Sequence, residues 1–360
     1  MASVKIVIGR LKKFPFCAIF ILCMKNQTIS GGIMDFAVIN RLLSSPPQRS
    51  IGVAGDFCTD VYWELEPKAG EASLETGLLT TPVTAARYSP GGAGNIITNL
   101  RGLGVNHIPC FGAVGADPFG FWLHHELTAG TPEYSGYLLP IARETYHTPV
   151  YCKPLLNGVE QSRIDLGNTP LTEDETGKLL DGLAEMLPDL KVLIVNEQIA
   201  NGIHSASFRA GFAGLVRKYC GRVRFVFDGR DHLDAYPGVT LKINASAASR
   251  LACGKEGVPP EESGRIILER SGQELVITDG ERGCFVFEHR QTTFIPAIRW
   301  DGPTDTVGAG DSFTAGFSYA LAAGATLVNA AEFGTCCSAV TIRKLNQTGF
   351  PTPEEIAALF

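Results

Sequence analysis

From Ile51 onward, short apolar or β-branched runs alternate with segments of helical period, the pattern of a mostly parallel sheet covered by helices. Runs made mostly of apolar or β-branched residues at 51–55, 111–115, 192–195, 223–227 and 275–278 predict strands buried on both faces. Between them, apolar positions 96, 97, 100 and 103 fall on one face of a helix over 95–103. Phe121, Leu123 and Leu127 mark another helix. Thr172-x-x-Glu175 is a capping box opening a third, which ends near Leu187. Phe313, Phe317 and Leu321 share the face of a fourth, closed by Gly324. Two regions break the alternation: 61–66 with 79–88, and 146–156 with 159–166, read as antiparallel hairpins, the second turning at Asn157-Gly158. The expected architecture is α/β, one core domain over 34–360 with a small β lid from about 61–90 and 145–166.

Composition narrows the class. The 360 residues are 45% hydrophobic and 19% charged, enough for a large core. A formal net charge of −6 argues against a nucleic-acid surface, which needs Lys and Arg. Arg10-Leu11-Lys12-Lys13 and the apolar run 14–24 resemble a signal peptide, but the run is too short to span a bilayer and no A-x-A-like site follows. The expectation is instead a translation start at Met34, with residues 1–33 a mis-assigned or extra segment. Ten cysteines include no C-x-x-C pair, so neither a zinc site nor a disulfide framework is expected; reduced thiols in a cytoplasmic protein are.

The chemistry concentrates at Asp305-Thr-Val-Gly308-Ala309-Gly310-Asp311. Gly308, Ala309 and Gly310 stand where a loop enters a helix, and free amides plus the helix dipole there favour anionic oxygens. Asp311, in the first turn, is placed to accept a proton beside such an anion, the pairing that phosphoryl transfer requires. By itself a Gly-rich turn before an Asp is more often a plain helix start, so weight falls on its company. Gly92 and Asn95 lie in a second glycine cluster, where Asn95 is either a cap or a ligand for sugar hydroxyls. Asp60 follows the first strand and is either a loop carboxylate or a hydroxyl acceptor, whereas Asp117 reads as a cap. Thr278, Gly280 and Gly283 follow a buried strand at the carboxyl edge where open α/β sheets bind ligands.

These motifs, in order and spacing over most of 51–353, resemble the signatures of the pfkB (ribokinase-like) carbohydrate kinases. The resemblance implies a Rossmann-like core with a β lid, ATP with Mg²⁺, and γ-phosphate transfer to the hydroxyl of a sugar or sugar phosphate. It makes Asp311 the base and Gly308-Ala309-Gly310 the anion hole, puts Asp60, Gly92 and Asn95 on the sugar, and puts Asn244, Thr278, Gly280 and Gly283 on the nucleotide. Asn329 would lie near the adenine or on the surface. Residues 55–63, 153–165 and 228–244 are most similar to the heptose-phosphate kinase branch, in which Lys153 and Arg163 would meet a substrate phosphate; otherwise they form the solvated face of a hairpin. Two departures stand out: Asn244-Ala-Ser-Ala247 lacks the family's Glu, and Asn196-Glu197-Gln198 replaces an Asp-Tyr pair. They leave open a catalytically weak sensor, or a nucleoside kinase of the same fold. No Gly-Lys-Ser/Thr supports a P-loop, and no G-x-G-x-x-G follows the first strand. Exposed lid edges would permit a homodimer.

Overall fold

Along the central strand, Val192 and Ile194 belong to one buried apolar cluster and Leu193 and Val195 to another. A strand that presents hydrocarbon to both sides needs a helical layer on each, and that requirement organises the molecule. The computed structural model describes residues 29–31, 36–47, 50–68, 70–128, 137–167, 169–289, 291–345 and 347–360. The expected start at Met34 and almost all of 1–33 lie outside the described residues.

In chain order the strands are β1 (Ile29–Gly31), β2 (Ile51–Gly55), β3 (Phe57–Leu65), β4 (Val83–Gly92), β5 (Cys110–Gly115), β6 (Tyr137–Ile141), β7 (Val150–Leu156), β8 (Val159–Glu160), β9 (Ile164–Leu166) and β10 (Val192–Asn196). They continue with β11 (Arg224–Asp228), β12 (Thr240–Asn244), β13 (Leu275–Thr278), β14 (Gly283–Glu288) and β15 (Gln291–Pro296). The helices are α1 (Phe36–Leu43), α2 (Ala93–Gly102), α3 (Pro118–Thr128), α4 (Glu173–Met186), α5 (Ala206–Tyr219), α6 (Ala245–Cys253), α7 (Pro260–Ser271), α8 (Ala309–Ala322), α9 (Leu327–Thr341) and α10 (Pro353–Ala357).

A ten-stranded sheet runs β1-β15-β14-β13-β12-β11-β10-β2-β5-β6, parallel except where β14 pairs antiparallel with β13 and β15. α1, α2, α8 and α9 pack on one face; α4, α5, α6 and α7 pack on the other. The α/β class expected from the alternation is thus the class found. Thr172 and Glu175 make both bonds of the capping box that starts α4.

A second, five-stranded sheet has the order β4-β3-β7-β8, with β9 also on β7. It carries both expected hairpins with shifted limits. β4 starts at Val83, not 79, and runs on to Gly92; β7 starts at Val150, not 146. The tight turn falls at Asn157-Gly158, both with positive φ. β3 and β7 are parallel neighbours, so the two hairpins share one sheet. Among the described residues no helix is long and apolar enough to cross a membrane.

Candidate active site

The parallel strands end at one edge, and α8 begins there. Gly308 caps it in the left-handed region, at φ 77°, where an L side chain is strained. A Cβ at Gly308 would also come within 3.0 Å of Asn95 Nδ2 and of Thr348 Cγ2. Of the expected anion-hole amides, that of Ala309 is already donated to the Thr306 carbonyl at 3.2 Å. The Gly308, Gly310 and Asp311 amides have no partner among the described residues, so the donor set is shifted relative to the sequence expectation.

Asp311 is gripped by two amide side chains. Asn95 Nδ2 donates to Oδ2 at 2.6 Å and Gln198 Nε2 to Oδ1 at 3.2 Å. Asn99 Nδ2 donates to Asn95 Oδ1 at 3.2 Å, which turns the Asn95 nitrogen toward the carboxylate. Burial, followed by repulsion from Asp228 and Asp60, pushes the Asp311 carboxyl up to about 6, against the Asn95 bond and the Lys242 charge. A carboxylate of that basicity is suited to accept a proton near neutral pH.

Gln198 was noted in the sequence only as a departure, with no role assigned. Asp56 places it: this buried carboxylate accepts the Gln198, Ile199 and Ile203 amides, each at 2.8 Å. Glu197 does the same for the neighbouring loop, taking the Arg230, Asp231 and His232 amides at 2.9–3.0 Å and the His232 ring. Burial alone would raise Glu197, but these donors outweigh it and hold its carboxyl below the usual range. Asn196 is fully buried with its side-chain amide unpartnered in the protein, and its Oδ1 lies 3.6 Å from where a Cβ on Gly92 would stand.

On the lid, Asp60 pairs with Lys153 at 2.9 Å. Burial works against the Lys153 ammonium, yet Asp60 more than offsets it and the net shift is upward. Register sets Arg87, Tyr62 and Lys153 side by side on β4, β3 and β7. The Arg87 guanidinium sits 4.1 Å from the Tyr62 ring centre, and Lys153 Nζ 3.2 Å from the Tyr62 hydroxyl. Arg87 was missed in the sequence; the period-two placement of 60, 62, 87, 89 and 153 on one face is the signal that holds it. Arg163 does not join them as a free cation: Asp165 holds it bidentately at 2.7 Å in a half-exposed pair. Asp117 is a cap, accepting the Gly120 amide at 2.9 Å.

On the nucleotide side, Asn244 and Thr278 are register neighbours at the ends of β12 and β13. The Asn244 side chain caps α6, accepting the Ala247 amide at 2.8 Å, and Ala247 is buried in the core. Gly280 and Gly283 flank a short 3₁₀ turn between β13 and β14. Asn329 sits in the first turn of α9 and bonds Thr326 at 2.6 Å; no contact joins it to the other site residues. Among the described residues no cluster of three His, Cys, Asp or Glu could hold a metal.

Residues 231–354 match the family model described as pfkB family carbohydrate kinase. Over 317 residues, 87% of this chain and 64% of the relative, the sequence is 25% identical to "Bifunctional protein HldE" of Photobacterium profundum. The HldE protein of Gluconobacter oxydans is 27% identical over 318 residues, 85% of this chain and 63% of its own. The chain therefore spans just under two thirds of these relatives. Ribokinase of Arabidopsis thaliana, solved with ribose and ATP, superposes with a TM-score of 0.65 at 18% identity, covering 88% of this chain and 98% of that one. Burkholderia thailandensis nucleoside kinase, solved with inosine, gives 0.58 at 22% identity, covering 86% and 97%. The fold is ribokinase-like. By its family match and its motifs, the chain is similar to the pfkB family carbohydrate kinases.

Proposed function

We propose that the chain is an ATP-dependent kinase that phosphorylates a hydroxyl of a sugar or sugar phosphate, with Asp311 as the base. The observation that carries this reading is the Asp311 carboxylate, raised to about 6 and aimed by Asn95 and Gln198, in the first turn of a helix whose Gly308, Gly310 and Asp311 amides are free. Those amides suit the transferring phosphate; the carboxylate suits the proton of the attacking hydroxyl. The Gln198 amide is bonded where an acceptor hydroxyl would approach, so substrate entry exchanges one donor to Asp311 for another. ATP would supply the phosphoryl group, and the ends of β12 and β13 with the 280–283 turn would hold it. Mg²⁺ fits only as an ion carried by phosphates and water, since the residues present build no metal cage.

A phosphorylated, heptose-phosphate-like acceptor is favoured by the Arg87–Tyr62–Lys153 row. Arg87 has no carboxylate partner among the described residues, and a phosphate there would be met by Arg87 and Lys153 together. Replacing Arg87 with methionine should raise KM for a phosphorylated acceptor by roughly tenfold with little change in kcat, and should leave a neutral sugar unaffected. Steady-state kinetics on the matched pair decides it; equal KM values for the phosphorylated acceptor in wild type and variant would remove the phosphate from this row.

Turnover across heptose phosphates, hexoses, pentoses and nucleosides, read as phosphorylated product by mass spectrometry, tests the whole reading. Binding without product would favour the sensor, the reading that Ala247 in the core keeps alive. Product from nucleosides alone would favour a nucleoside kinase. Among the described residues no two cysteines are joined in a disulfide, which suits a cytoplasmic setting. The outer edge of β4 is unpaired within the described chain and could join a second lid.

A further inference from the structure

We infer that Lys242 is a phosphate-binding residue, its ammonium stored against Asp228 beside the mouth of α8 and offered to the phosphoryl oxygens of a nucleotide at the 308–311 loop. This role rests on the kinase reading above. In the sequence Lys242 stands within the 228–244 segment that resembles the heptose-phosphate kinase branch, with no role of its own.

Lys242 sits on β12 with its side chain 7% exposed, and its Nζ contacts both Asp228 oxygens, at 3.1 and 2.9 Å. The Thr314 hydroxyl, one turn into α8, lies 2.6 Å from Asp228 Oδ2 and 2.9 Å from the Gly310 carbonyl. That contact ties the ion pair to the helix. Lys242 Nζ lies 3.5 Å from the position a Cβ on Gly310 would take, so nothing but the glycine separates the ammonium from the anion loop. A side chain at 310 would come between them.

Charge bookkeeping favours an exchange of partners. Asp311 feels the carboxylates of Asp228 and Asp60, and Lys242 is the cation set against them. A nucleoside triphosphate brings several more negative charges into the same recess. A protein cation beside the loop compensates part of that charge, alongside any Mg²⁺ that the phosphates carry. Lysine suits the task, being a point charge with three donors on a flexible stem. When the ammonium turns to phosphate, Asp228 keeps the Thr314 hydroxyl and is not left bare.

Calorimetric binding of adenosine, ADP and a non-hydrolysable ATP analogue to wild type, Lys242→Met and the double variant Lys242→Met/Asp228→Asn tests the assignment. Adenosine should bind all three proteins alike, while ADP and the analogue weaken by at least roughly tenfold in both variants. The double variant is needed because Lys242→Met leaves Asp228 buried without its cation and could prevent folding. Unchanged affinities for ADP and the analogue in a folded variant would overturn the role of Lys242 and leave the kinase reading standing. Failure of the wild-type protein to bind any of the three ligands would overturn both.

Discussion

With Asp311 replaced by asparagine, phosphoryl transfer should fall by roughly a hundredfold or more while acceptor affinity stays nearly intact. The asparagine keeps the shape and one acceptor oxygen, which can still take the Asn95 amide, while its new NH2 needs the Gln198 amide to turn and present its oxygen; what vanishes is the capacity to take a proton. The pH profile gives the independent check. With its carboxyl pushed up to about 6, Asp311 is protonated below that value, so wild-type kcat/KM should climb through about pH 6 and level off above it. The residual rate of the variant should lack that limb. The stability sign runs opposite to activity. A carboxyl whose folded value lies above its ordinary one favours the fold below the ordinary carboxylate range and loses that contribution as pH rises through about 6. The variant should therefore melt higher than wild type above pH 6 and nearly level with it near pH 4. Undiminished turnover in Asp311→Asn would remove the base from the mechanism.

Gly92→Ala should be a severely damaging single methyl on the acceptor side of the site. Gly92 caps α2 with φ 57° and ψ −128°, a conformation that L residues avoid, and a Cβ there would stand 2.3 Å from the Asp56 carbonyl. Backbone meets backbone, so no side chain can swing away. A loss of roughly 3 kcal/mol is expected from strain of this kind. It should appear as a lower melting temperature, together with weaker acceptor binding, because α2 carries Asn95 to Asp311. A variant with wild-type melting and kinetics would show that the junction yields without effect on the site.

The framework was readable because the central strands are largely apolar. A run such as 192–195 has nowhere to go but between two helical layers, and its neighbours obey the same constraint. The capping box at Thr172 and the turn at Asn157-Gly158 were readable because each is decided within a few residues. Strand limits in the lid were not, because β3 and β4 continue with polar and glycine residues that only the partner strand holds extended. Of the site, the glycine loops and Asp311 announce themselves locally. Gln198, Lys242 and Arg87 do not: each is one polar residue in or after a strand, and its meaning appears only when the neighbouring strand is set in register. Arg163 shares its face of the extended chain with Asp165 two positions on, and the pairing of the two is visible only once the strand is built.

The bond between Asn95 and Asp311 joins residues 216 positions apart. A ribosome therefore releases the amide donor, Asn95, long before the carboxylate it bonds, Asp311, has been translated. On the kinase reading proposed above, a chain terminated anywhere before α8 would lack the base altogether and so should not turn over ATP.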